Sequence, residues 1–173
     1  MEAAPLYTDI AGGPEGGAAH WLRTSDGLRI RVGHWTVPDA KGTVLIFPGR
    51  TEFVEKYGRA AKSFAAHGYA SLAIDWRGQG IADRMTPNRA VGHVGHFDDY
   101  QRDVEATLAH AAALGLPRPY FLVGHSMGGC IGLRSLMNGL DVNAAMFSAP
   151  MWGVQISPAL RPFAWGLSAV SKP

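Results

Sequence analysis

A chain of 173 residues, 47% hydrophobic and 17% charged, carries enough apolar material to bury the core of one domain. Its net charge of +2, on dispersed basic residues, argues against nucleic acid as a partner, and its one cysteine, Cys130, excludes an intrachain disulfide framework and a cysteine-rich zinc site. Met1-Glu2-Ala3-Ala4-Pro5 has no basic segment leading into an apolar run, and no apolar stretch reaches the roughly 18 residues of a membrane span, so the default expectation is a soluble cytoplasmic protein.

Residues 1–19, rich in glycine and proline, are expected to form a flexible N-terminal arm. His20–Arg23 and Leu28–Trp35 read as strands of a hairpin joined across Ser25-Asp26-Gly27. Thr43–Phe47 is a continuous β-branched and apolar run, the mark of a strand buried on both faces. Phe53–His67 has helical character, with Phe53, Tyr57, Ala60, Ala61 and Phe64 on one stripe and Gly68 as its stop. Ala70–Ile74 is the next buried strand, closed by Asp75. Asp98 or Asp99 caps a long helix reaching to about Leu114, with Tyr100, Val104, Thr107, Leu108 and Ala111 along one face. Tyr120–Val123 is a strand, Gly128–Asn138 a helix and Ala144–Phe147 a fourth parallel strand. This alternation predicts an α/β fold: a three-layer sandwich around a mostly parallel sheet with right-handed crossovers, its core spanning residues 20–150. Ser157 and Pro158 then open a further helix with Leu160, Phe163, Ala164, Leu167 and Val170 as its apolar stripe.

Gly124-His125-Ser126-Met127-Gly128 lies directly between a buried strand and a helix. In a G-x-S-x-G element so placed, the turn is sharp enough to strain the serine backbone, and glycines are needed where a Cβ would strike the neighbouring strand or helix. Ser126 Oγ is then presented at the carboxyl end of the sheet, where open α/β sheets bind ligands. The helix N-terminus adds partial positive charge, and the Met127 N–H is placed to meet an oxyanion, a donor worth on the order of 3 kcal/mol in the transition state. A second donor is expected from Phe47-Pro48-Gly49-Arg50-Thr51, the loop after the first parallel strand, with the Arg50 N–H as candidate. Ser126 is therefore the candidate nucleophile, Arg50 and Met127 the candidate oxyanion hole, and Gly124, His125 and Gly128 the elbow.

Three segments together, Phe47-Pro48-Gly49-Arg50-Thr51-Glu52-Phe53, Asp75-Trp76-Arg77-Gly78-Gln79-Gly80 and Gly124-His125-Ser126-Met127-Gly128-Gly129, resemble the lysophospholipase/monoacylglycerol-lipase branch of the α/β-hydrolases in order and spacing. The resemblance runs from about residue 20 to the end. It implies esterases that cleave acyl chains from monoacyl lipids or small acyl esters, without metal or organic cofactor, under a lid that touches membrane surfaces transiently. Many members have His-Gly where this chain has Pro48-Gly49, and a small residue in place of Arg50. The donor is a backbone group, so Arg50 serves, its side chain bringing charge beside the acyl site.

A hydrolase of this fold orders its triad as serine, acid, histidine. After Ser126 this chain holds one acidic residue, Asp141, and no histidine. Asp141 comes before the next strand starts, too early for the triad acid. The resemblance implies that members continue through the rest of a lid and the strands bearing acid and histidine. Residues 151–173 then read as the start of the lid, the fold as truncated there, and the chain by itself as inactive. The alternative is a non-catalytic chain that binds a lipid or a partner through a half-built pocket. His93 and His96, followed by Asp98 and Asp99, are a weak metal motif in a glycine-rich loop, and neither is expected to be the base. His125 is expected to pack beside the elbow, and Cys130 to be a small inert residue. Asp75, which lacks an elbow, is expected to bond loop N–H groups. Trp152, Phe163 and Trp165 line an acyl pocket, touch membrane lipid or pack in the lid.

Overall fold

The computed structural model describes residues 1–153 and 155–170, with side chains through Leu167. The Val170 side chain and residues 171–173, the far end of the apolar stripe, lie outside the described residues. In the first nineteen residues β1 (Glu2–Ala4) is followed by α1 (Thr8–Ala11) and leads into β2 (Ala18–Arg23). The arm is tied down by polar contacts that composition does not announce. The Pro5 carbonyl accepts from Arg31 at 2.9 Å, and the Tyr7 N–H donates to Glu55 at 3.1 Å. Gly13 and Gly17 fit where a Cβ would lie 2.6 and 2.4 Å from the Trp35 indole nitrogen.

β3 (Arg29–Trp35) returns along β2, and Gly27, at φ +86°, makes the turn. β4 (Thr43–Phe47) is buried at every residue. The expected helix from Phe53 begins as a 3-10 turn (Val54–Tyr57) and becomes α2 (Gly58–Ala66), which Gly68, at φ +84°, helps to stop. At the junction Gly58 lies so close to the Ala11 carbonyl that a Cβ would come within 2.2 Å of it. β5 (Ala70–Asp75) is also buried throughout. α3 (Tyr100–Ala113) is capped one turn before its start, where the Asp99 carboxylate accepts the His96 N–H at 3.0 Å. β6 (Tyr120–His125), α4 (Met127–Met137) and β7 (Ala144–Ser148) follow, then a 3-10 turn (Pro158–Leu160) and α5 (Arg161–Val170).

The strands form one sheet in the order β1-β2-β3-β5-β4-β6-β7. β5, β4, β6 and β7 are mutually parallel, while β1, β2 and β3 are joined antiparallel, so five of the seven strands point one way. One face is covered by α3 and α4 over Ile30, Val32, Leu45, Leu72 and Leu122; the other carries α2 over Trp35, Val44, Ile46 and Ala73. That is the three-layer sandwich.

Two buried ion networks cross these layers. Arg31, 1% exposed, donates to both carboxylate oxygens of Glu55 at 2.7 Å and to Asp75 at 2.8–2.9 Å. Asp75 also accepts the N–H groups of Val54 and Ile81, at 2.8 and 3.0 Å. Its carboxylate is fully occupied in holding loops, as the strand-end reading expected. Arg77 bridges Asp103 and Asp26. Asp103 and His110 are buried on α3, beyond the apolar stripe that periodicity marks. At the far edge β7 is largely exposed, with Met146 at 56%, and beside it Phe64, Tyr69, Phe121 and Val123 line an open apolar groove.

Candidate active site

The turn from β6 into α4 places Ser126 at φ +50°, ψ −117°, a conformation that L residues rarely adopt. Backbone bonds on both sides hold it there. The Ser126 N–H donates to the Ser148 carbonyl at 3.1 Å, and its own carbonyl accepts from Gly129 at 3.0 Å and Met151 at 2.9 Å. The glycines have the expected steric reason. A Cβ on Gly128 would lie 2.0 Å from the Phe47 carbonyl oxygen and 2.4 Å from that of Pro48; one on Gly124 would lie 2.9 Å from Gly129 Cα.

The loop after β4 comes to the same place, for a Cβ on Gly49 would stand 3.2 Å from Ser126 Cβ. Three side chains pin this loop. Trp76 Nε1 donates to the Pro48 carbonyl at 2.9 Å, Glu52 accepts the Gly49 N–H at 2.6 Å, and Gln79 accepts the Thr51 N–H at 2.8 Å. The N–H groups on either side of Arg50 are thus engaged, while that of Arg50 has no acceptor among the described residues. The Met127 N–H, first in α4, likewise has none. Thr51 supports the sharp turn with φ +62°.

Glu52, to which the sequence motif assigns no role, anchors this loop. It is 7% exposed and takes hydrogen bonds from the Gly49 N–H, the Tyr57 hydroxyl at 2.5 Å and the Lys56 ammonium. Burial works to raise its pKa, but the bonds from Lys56, Tyr57 and Gly49 prevail and hold it below the ordinary glutamate value. A depressed carboxylate pKa gives stability that is present above the unfolded value and lost as pH falls through the folded one. Glu52→Gln is therefore expected to lower Tm at pH 7, with the gap to wild type closing below about pH 4.5. Thermal melts of both proteins across this range check it.

His125 is held to one side of the serine. Its Nδ1 lies 3.1 Å from the Ser148 carbonyl and 3.4 Å from Ser148 Oγ, and its Nε2 is 3.7 Å from Glu52. Among the described residues no histidine ring is hydrogen-bonded to Ser126. His93 and His96 stay in the loop before α3, His93 with its carbonyl packed against Gly78 and His96 exposed. Asp141 pairs with Arg118 at 2.7 Å on the surface, away from the elbow. Cys130 is half-buried beside Phe97 and Leu133. Trp152 packs edge-on against Phe147 with ring centres 5.8 Å apart, while Phe163 and Trp165 are 71% and 72% exposed.

A feature that sequence motifs do not mark lies beside the pinned loop. Arg50, Gln79, Gly80, Arg84 and Arg89 line a cavity of about 260 Å³ with no acidic residue in its wall. The Arg84 guanidinium donates to the carbonyls of Gln79, Gly80, Ala82 and Arg89. Gln79, 3% exposed, spends its carbonyl on Thr51 and has its Nε2 unpaired.

A family model described as serine aminopeptidase, S33, matches residues 38–172. Lysophospholipase L2 of Escherichia coli is 33% identical over 132 residues, which are 76% of this chain and 39% of that protein. Monoglyceride lipase of Saccharomyces cerevisiae is 32% identical over 127 residues, 68% of this chain and 38% of that one. The chain thus spans about two fifths of the length of these relatives. Among solved structures, a soluble variant of the yeast monoglyceride lipase in complex with a substrate analog superposes with a TM-score of 0.61 at 26% identity, covering 86% of this chain and 48% of that one. A thermostable carboxyl esterase from Bacillus coagulans gives 0.71 at 18% identity over 92% and 52%, a likeness of fold.

Proposed function

Since the chain belongs to the serine aminopeptidase S33 family of α/β-hydrolases, we propose that it carries the nucleophile half of a serine esterase acting on monoacyl lipids. The observation that carries this reading is Ser126 at its strained elbow, facing a loop whose only unengaged N–H among residues 49–51 is that of Arg50. In this reading Ser126 Oγ attacks the ester carbonyl, and the N–H groups of Arg50 and Met127, with the α4 N-terminus behind them, receive the charge that develops on the carbonyl oxygen. The tetrahedral adduct expels the alcohol and leaves an acyl-serine, which water then clears. The histidine that moves these protons, and the acid that orients it, come from outside these 173 residues. The names of the relatives support an ester rather than a peptide as substrate.

The arginine-lined cavity favours a lysophospholipid over a monoacylglycerol. Arg84 and Arg89 meet no carboxylate there; Arg84, bonded to four carbonyls, supplies positive charge, and Arg89, Arg50 and Gln79 Nε2 offer donors to a phosphate. A headgroup in this cavity would lie alongside the loop that faces the serine. Because binding needs no base, the 173-residue chain itself tests this point. In neutral micelles it should bind lysophosphatidylcholine more tightly than a monoacylglycerol of the same acyl length. Arg89→Ala should weaken the former roughly tenfold, the size of one charge-assisted hydrogen bond, and leave the latter unchanged. Equal affinity for both lipids, or equal loss in the variant, would remove the headgroup assignment.

A further inference from the structure

His20 on β2, His34 on β3 and His110 on α3 meet where α3 crosses the antiparallel half of the sheet. Strand register brings the first two together: Ala18 pairs with His34, so His20 is the diagonal neighbour on the same face. Their rings stack with centres 5.3 Å apart, and the His110 ring meets that of His20 edge-on at 4.9 Å. His34 and His110 are 6% and 5% exposed, and His20 is half-buried. One donor atom from each lies within 4.8 Å of the other two. His20 Nδ1, His34 Nδ1 and His110 Nε2 are all buried without a hydrogen-bond partner. Buried polar atoms are as a rule paired, so three unpaired imidazole nitrogens in one place share a need that a Lewis acid meets.

We propose that His20, His34 and His110 bind one zinc ion, with water or a small anion in the fourth position. Imidazole is a preferred ligand of zinc, and a tetrahedral site with Zn–N near 2.0 Å sets its nitrogens about 3.3 Å apart. Donors within 4.8 Å close to that distance only if the His20 or His34 ring, now parallel to within 7°, turns about its side-chain torsions so that both lone pairs meet at the ion. The site is three and four strands from β6, about 14 and 19 Å at ordinary strand spacing, so the ion takes no part in the chemistry at Ser126. It clamps α3 to the β2–β3 hairpin, on the half of the sheet that carries the N-terminal strand.

The test uses the chelator-stripped 173-residue chain. Equilibrium dialysis against zinc with elemental analysis should give one ion per chain, and zinc at about a hundred times its Kd should raise Tm by roughly 5–10 °C. Cobalt in place of zinc should show the intense visible bands of a tetrahedral site. His20→Gln and His110→Phe, each checked for fold by circular dichroism, should lose the ion and the Tm shift, while His96→Gln keeps both. Absence of stoichiometric zinc in the unmodified chain would overturn the proposal, and so would an unchanged cobalt spectrum in both cluster variants. The cobalt spectrum of the unmodified chain decides the matter even if a variant fails to fold.

Discussion

Gly128→Ala is expected to cost more than about 4 kcal/mol of stability, enough to unfold a domain of ordinary stability. The added methyl carbon would sit 2.0 Å from the Phe47 carbonyl oxygen and 2.4 Å from that of Pro48. Both are backbone atoms where β4 ends, and neither can rotate away. Relief requires α4 to move off β4, which separates the elbow from the loop that faces it. Gly139 is the natural control. It has φ +91° but nothing within 4 Å of a built Cβ, so Gly139→Ala carries only the left-handed backbone penalty, roughly 1–2 kcal/mol. Urea denaturation followed by circular dichroism separates the two. Near-native stability of Gly128→Ala would mean that the approach of α4 to β4 is looser than its geometry states.

What was legible in the sequence was what is local. The elbow is five consecutive residues, and the buried strands Thr43–Phe47 and Ala70–Asp75 are continuous apolar runs, so both could be read without knowing the partners. The failures share the opposite property. Arg31 and Asp75 are 44 residues apart in sequence, and Arg77 and Asp26 are 51 apart; nothing in either neighbourhood marks a buried pair. The contacts of the glycine- and proline-rich N-terminal residues are likewise hidden, because they are made with Arg31, Glu55 and Trp35, all outside the segment. Asp103 and His110 are buried on α3, yet an apolar stripe does not reveal polar groups that burial pairs or gathers. Of the two cap candidates, Asp98 and Asp99, it is Asp99 that caps, and it serves the turn before α3 rather than α3 itself. Glu52 shows a middle case: an acid three residues after Gly49 is a recognisable signal for a loop closed on its own N–H, though its bond from Tyr57 is not.

The second large effect concerns Ser126. In a form of the protein that has its base, Ser126→Ala should lower kcat by roughly 10⁶, since removing the nucleophile leaves only oxyanion and binding terms. The chain joined to the C-terminal part of the Escherichia coli relative is expected to be one such form. The alanine leaves the fold intact, because the serine backbone, held by Ser148, Gly129 and Met151, sets the elbow and its hydroxyl does not. A loss of activity accompanied by an unchanged Tm would therefore assign the effect to chemistry.

The most direct measurement is labelling by a fluorophosphonate probe, read by peptide mass spectrometry, on the folded 173-residue chain and on the joined form, each with its Ser126→Ala variant. The account predicts no label on the chain alone, a label on Ser126 in the joined form, and none in either alanine variant. A label on Ser126 in the chain alone would contradict it, for the base would then lie within these residues.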